Sequence, residues 1–67
     1  MVVTSQEPKE FASDVFHKHY DIYKNGFDEI TASLLAKSNS LMYVCAMIDA
    51  YPHIKFFIDV KLELELM

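Results

Sequence analysis

From Ile54 to Leu66 the chain alternates apolar and polar residues. Ile54, Phe56, Ile58, Val60, Leu62, Leu64 and Leu66 form one row, and Lys55, Asp59, Lys61, Glu63 and Glu65 the other; only Phe57 interrupts the polar row. Successive side chains of a β-strand point to opposite faces, so a period of two predicts a half-buried strand. A strand of that length carries a row of backbone N–H and C=O groups that need partners. The rest of the chain offers only one shorter candidate for the pairing, which makes contact with a second chain the first expectation.

The N-terminal half has a helical period. Residues 1–5 are expected to be disordered, and a first helix is predicted to begin near Ser5 or Gln6. Pro8 suits its first turn, where a missing N–H costs nothing. Glu7 and Glu10 suit the positive end of the helix dipole. The helix runs to about Lys24, where Asn25-Gly26 is a stop signal. At about 100° per residue, Phe11, Ala12, Val15, Phe16, His19, Ile22 and Tyr23 share one apolar arc. Glu7, Glu10, Asp14, His17 and Asp21 share a separate, acidic one. A second helix is predicted from Phe27 to about Lys37, on the spacing of Phe27, Ile30, Thr31, Leu34 and Leu35. Ser38-Asn39-Ser40 then reads as a loop.

Residues 41–51 fit two readings. Leu41, Val44, Ile48 and Tyr51 could form one helix face, whereas Tyr43, Val44, Cys45 and Ile48 also suit a buried strand. The strand reading, over residues 41–49, is preferred because the final strand needs a partner. The fold class predicted is therefore α+β: two N-terminal helices packed on a C-terminal β-hairpin, or a third helix plus one long strand, completed by dimerisation. Even a hairpin leaves roughly 13 Å of the last strand unpaired, at about 3.3 Å per residue.

Tyr51-Pro52-His53-Ile54-Lys55-Phe56-Phe57 is similar to the segment around the cis-proline of thioredoxin-fold domains in the protein disulfide isomerase family. The resemblance implies a cis Pro52 followed by a strand. It covers about seven residues. The chain has no Cys-x-x-Cys, and Val60 stands where the family often has a turn glycine, so no redox function is carried over.

Sixty-seven residues make a single domain with a thin stability margin. Small domains compensate with disulfides, a metal or oligomerisation. Cys45 is the only cysteine, which excludes an internal disulfide and a Cys-rich zinc site and leaves oligomerisation. A hydrophobic fraction of 52% is too high for a disordered chain. The net charge of −4 and the lack of any arginine argue against nucleic-acid binding. Met1 to Pro8 has neither a basic start nor an apolar core, so no secretion signal is expected. Leu41 to Ile58 is interrupted by Asp49, Pro52, His53 and Lys55 and does not read as a membrane span. A lone cysteine without a secretion signal fits a reducing cytoplasm.

No motif carries a chemistry. His17 and Asp21 stand four apart and could share a metal with His53 or Cys45, but a zinc site needs three or four ligands; no metal and no cofactor are expected. His19 lies inside the apolar arc, as a core-edge histidine or a pH-sensitive packing element. Cys45 sits in a wholly apolar run, which makes a thiol inert. The expectation is a non-enzymatic, acidic protein-interaction module, a regulator or inhibitor acting as a homodimer on another protein. Its partner surface would comprise Glu7, Glu10, Asp14, Asp21, Tyr20 and Phe57. Self-association would use Ile58, Val60, Leu62, Leu64 and Leu66. The alternatives are a dimeric ligand- or metal-binding module using His17, Asp21 and His53, an acidic nucleic-acid mimic, and an enzyme centred on Cys45 and a histidine.

Overall fold

The structure is a computed structural model that describes residues 7–67. It contains three helices: α1 (Pro8–Tyr23), α2 (Glu29–Ala50) and α3 (Lys55–Leu66), each packed on the other two. No strand occurs among the described residues. The expected α+β fold, with its hairpin of residues 41–49 and 54–66, is therefore replaced by a three-helix bundle.

The final segment is helical for a reason visible in its own pattern. A row of period two is also two rows of period four, and four residues is close to one helical turn. In α3 one such row, Phe56-Val60-Leu64, turns inward, with Val60 and Leu64 fully buried. The other, Ile58-Leu62-Leu66, stays exposed, as does Ile54 at the N-cap. Leu, Glu and Lys, which dominate this segment, are strong helix formers. Lys55 and Asp59, 2.9 Å apart, and Lys61 and Glu65, 3.7 Å apart, form ion pairs at the i, i+4 spacing that supports a helix.

Helix α2 does not stop at Lys37. Phe27, Ile30, Leu34, Lys37, Leu41, Val44, Ile48 and Tyr51 are separated alternately by three and four residues, so the stripes on either side of Ser38-Asn39-Ser40 are in phase. The three polar residues are accommodated within the helix. Asn39 Nδ2 donates to the Leu35 carbonyl at 2.9 Å, and Ser40 is fully buried. The strand expected at residues 41–49 is the C-terminal half of this helix.

The helix ends are set by local chemistry. Glu7 is the N-cap of α1, and its backbone N–H donates to Glu10 Oε1 at 3.1 Å. The disorder expected for residues 1–5, and the expected start at Ser5 or Gln6, lie outside the described residues. Asn25-Gly26 does end α1, but Gly26 keeps a negative φ, so no left-handed cap is formed. Asp28 caps α2, its Oδ1 accepting from the Thr31 N–H at 3.0 Å. In the turn after α2, Ile54 N–H donates to the Tyr51 carbonyl at 3.1 Å. The peptide bond before Pro52 is trans, and a helix follows it, contrary to what the resemblance of this segment implied.

The buried centre is made largely of small side chains. Ala12 and Val15 come from α1, Ala32, Ala36, Ser40 and Val44 from α2, and Val60 and Leu64 from α3. Phe11, Phe16, Leu41, Ile48, Phe56 and Phe57 pack around it, half-buried. Phe11 meets Phe56 and Phe57 edge-on, with ring centroids 5.4 and 6.4 Å apart, which ties α1 to α3.

Ala36→Leu should lower unfolding stability by about 1–3 kcal/mol in urea titration despite adding apolar atoms, because no space exists for them. Asp28 supplies a second expectation. Hydrogen bonds from Thr31, its hydroxyl first and its N–H second, hold the Asp28 carboxyl below the usual carboxylate range. A folded-state pKa below the unfolded one gives stability that is present above the ordinary value and lost as the pH falls through the folded value. Asp28→Ala should therefore lower the Tm at neutral pH, and its difference from wild type should shrink once the pH drops below about 4.

Candidate functional site

Because the enclosed positions hold small residues, large apolar side chains are left outside. Among the described residues twelve large apolar or aromatic side chains are exposed, against seven enclosed apolar ones, three of which are alanines. A few exposed aliphatic residues are ordinary, but an excess gathered on helix faces marks a contact surface. Two such surfaces can be built from the residues upward.

The first is a groove of about 660 Å³ along α1, lined by Phe11, Asp14, Val15, His17, Lys18, His19, Asp21 and Tyr43. Its two sides are held in register by His19. The imidazole Nδ1–H donates to the Val15 carbonyl at 2.9 Å, an acceptor that requires the proton on that nitrogen. Ser40 Oγ of α2 lies 3.2 Å from the same nitrogen. The ring centroid of His19 is 6.4 Å from that of Tyr43, so the aromatic wall of the groove stands directly beside the bridge. Ile22, one turn after Lys18 on α1, and Met42, next to Tyr43 on α2, are both exposed.

The second surface is the outer row of α3. Ile54, Ile58, Leu62 and Leu66 are 38, 41, 53 and 81% exposed. Lys37 Nζ donates to the Glu65 carbonyl at 3.3 Å, which pins the last turn of α3 against the middle of α2. Leu34 lies one turn before Lys37 and Ile30 one turn before Leu34. They are 65 and 73% exposed.

The residues expected to form sites are distributed as follows. Glu7, Glu10, Asp14 and Asp21 are all exposed, and Asp21 pairs with Lys24 at 3.3 Å. Only Asp14 and Asp21 of this set line the groove. Tyr20 is half-buried and stacked on Phe16 at 6.2 Å. Phe57 is half-buried among Phe11, Phe56 and Tyr51. The self-association set divides: Val60 and Leu64 are in the core, while Ile58, Leu62 and Leu66 face outward. Tyr43, Met42, Ile30 and Leu34 were not among the expected site residues. Ile30 and Leu34 lie on the three-four spacing that runs through α2, whereas Met42 and Tyr43 lie off it and no such signal marked them.

Among the described residues no three His, Cys, Asp or Glu side chains converge as a metal-binding group. His17 is turned back on its own helix, with Nδ1 2.8 Å from the Ser13 carbonyl. His53 is exposed in the turn before α3, and Cys45 is a half-buried free thiol. No described helix is long and apolar enough to cross a membrane. The chain matches no protein-family model, no curated protein and no solved structure.

Phe57 separates a folding role from a binding one. Phe57→Ala should lower unfolding stability by about 2–3 kcal/mol, somewhat less than the loss for a fully buried ring. Thermal and urea unfolding measure this directly; an unchanged stability would return Phe57 to the contact surface.

Proposed function

We propose that this protein works by binding another protein, as a small regulator or inhibitor, and that it catalyses no reaction. The observation that carries this reading is the groove between α1 and Tyr43, in which Phe11, Val15 and Tyr43 stand beside charged side chains. Aromatic and aliphatic side chains fixed on helices, with charged groups around them, supply the anchors and the polar rim of an interface. The lining carries Asp14 and Asp21, the latter paired with Lys24, against one lysine, Lys18; with a net charge of −4 on the chain this suits a partner segment that is both basic and apolar. Complementary charge of this kind raises the association rate and fixes the register of the partner. The single cysteine, free and half-buried, supports action in a reducing compartment such as the cytoplasm.

A photo-crosslinking amino acid at position 42, introduced in the source cell, tests the proposal. A discrete adduct with one protein is expected. It should disappear in a Tyr43→Ala, Asp21→Lys double variant that retains wild-type helicity, and weaken as salt rises. An identical adduct pattern from wild type and the double variant would refute the proposal.

A further inference from the structure

The link between α1 and α2 carries a reactive pair, Asn25-Gly26, that lies outside the groove. We propose that Asn25 is a spontaneous modification site, at which the side-chain amide is converted to a carboxylate while the protein is folded. The conversion needs a following backbone nitrogen that can reach the side-chain carbonyl carbon. The Gly26 nitrogen attacks Asn25 Cγ, forming an N–Cγ bond as the Cγ–Nδ2 bond breaks. The proton lost from the Gly26 nitrogen leaves with the side-chain nitrogen as ammonia. Water then opens the cyclic imide at one of its two carbonyl carbons. Opening at Cγ restores the original backbone with an aspartate. Opening at the backbone carbonyl leaves the chain running through Cβ, as isoaspartate. Water is the co-reactant, and no atom changes oxidation state.

The chain has two asparagines, and the structure separates them. Asn25 and Gly26 are exposed and lie beyond the last residue of α1. Among the described residues the Asn25 side chain makes no hydrogen bond. A side chain added at Gly26 would meet no atom within 4 Å, so nothing crowds the attacking nitrogen. The restraint is the Gly26 N–H itself, which donates to the Tyr23 carbonyl at 3.1 Å. That bond closes an exposed turn at a helix end, where local opening costs little free energy. Asn39 is held in the opposite way. It is half-buried in the middle of α2, and its Nδ2 donates to the Leu35 carbonyl at 2.9 Å. The next N–H along the chain belongs to Ser40, which is fully buried within the helix. A helical N–H points along the axis toward the carbonyl four residues earlier, away from the preceding side chain. Attack on Asn39 therefore requires the centre of the bundle to unwind. Conversion at Asn25 places a new carboxylate just past the C-terminal end of α1, where the helix dipole disfavours negative charge. It takes the net charge of −4 one unit further. The isoaspartyl product also adds a carbon to the backbone that joins α1 to Asp28, the cap of α2.

The test incubates the intact chain at mildly alkaline pH, folded in buffer and unfolded in urea, and follows both asparagines by peptide mass mapping. In the folded protein Asn25 should convert while Asn39 remains an amide. Isoaspartate, which direct hydrolysis of the amide does not give, should be among the products. Unfolding should accelerate conversion at Asn39 by about tenfold or more and at Asn25 only a few-fold, because one site opens with the whole bundle and the other with a helix end. Gly26→Ala fits the negative φ and the open surroundings of this residue, so circular dichroism should show wild-type helicity. Its added Cβ hinders the attacking nitrogen, and conversion at Asn25 should slow several-fold. An Asn25 that stays an amide in the folded protein, or that converts no faster there than Asn39, overturns the proposal. Conversion without isoaspartate, or at the wild-type rate in folded Gly26→Ala, overturns it as well.

Discussion

The closeness of the three helices rests on what α2 turns toward the others. Ala32, Ala36, Ser40 and Val44 follow one another every four residues, and all are fully buried. Small side chains let neighbouring backbones approach, so the centre of the bundle is filled mostly by alanine, valine and backbone atoms. Close packing leaves no room there for Leu34, Met42 or Leu62. Those larger residues are displaced outward, and the two apolar surfaces of the molecule follow from that displacement. The contact surface and the core are thus two results of one packing choice.

A polar link fixes the alignment of the first two helices. Ser40 has no exposure, and its hydroxyl lies beside the His19 nitrogen that donates to the Val15 carbonyl. A buried polar group without a partner is costly, so this arrangement favours one relative placement of α1 and α2. Among the described residues every buried side-chain nitrogen or oxygen has a partner. The groove beside Tyr43 takes its shape from that placement. At the other side of α2, Lys37 Nζ donates to the Glu65 carbonyl near the end of α3.

How much of this was readable in the sequence differs between elements. The first helix was legible because its apolar arc, its acidic arc, its proline and the Asn25-Gly26 stop all agree. In the second, Ser38-Asn39-Ser40 carries loop chemistry, and that local signal competes with a stripe running in phase from Phe27 to Tyr51. The helix wins because Ser40 meets His19 across the bundle and Asn39 bonds its own backbone. In the third, the alternation of Ile54 to Leu66 satisfies a strand and a pair of helical rows equally well. Helix propensity and the i, i+4 ion pairs favoured the helix, but they are weaker signals than a clean period of two.

Taken alone, the amino-acid sequence determined the amphipathic first helix, the first turns of the second, the acidic balance, the single cysteine and the high apolar fraction. Those properties are local or compositional and need no neighbour to express them. Only the tertiary structure decided that the last segment is helical, that Val60 and Leu64 enter the core while Ile58, Leu62 and Leu66 do not, and that Tyr43 faces α1. The reason is physical: a period-two row leaves two faces available, and which one is buried depends on the small residues of α2 that receive it.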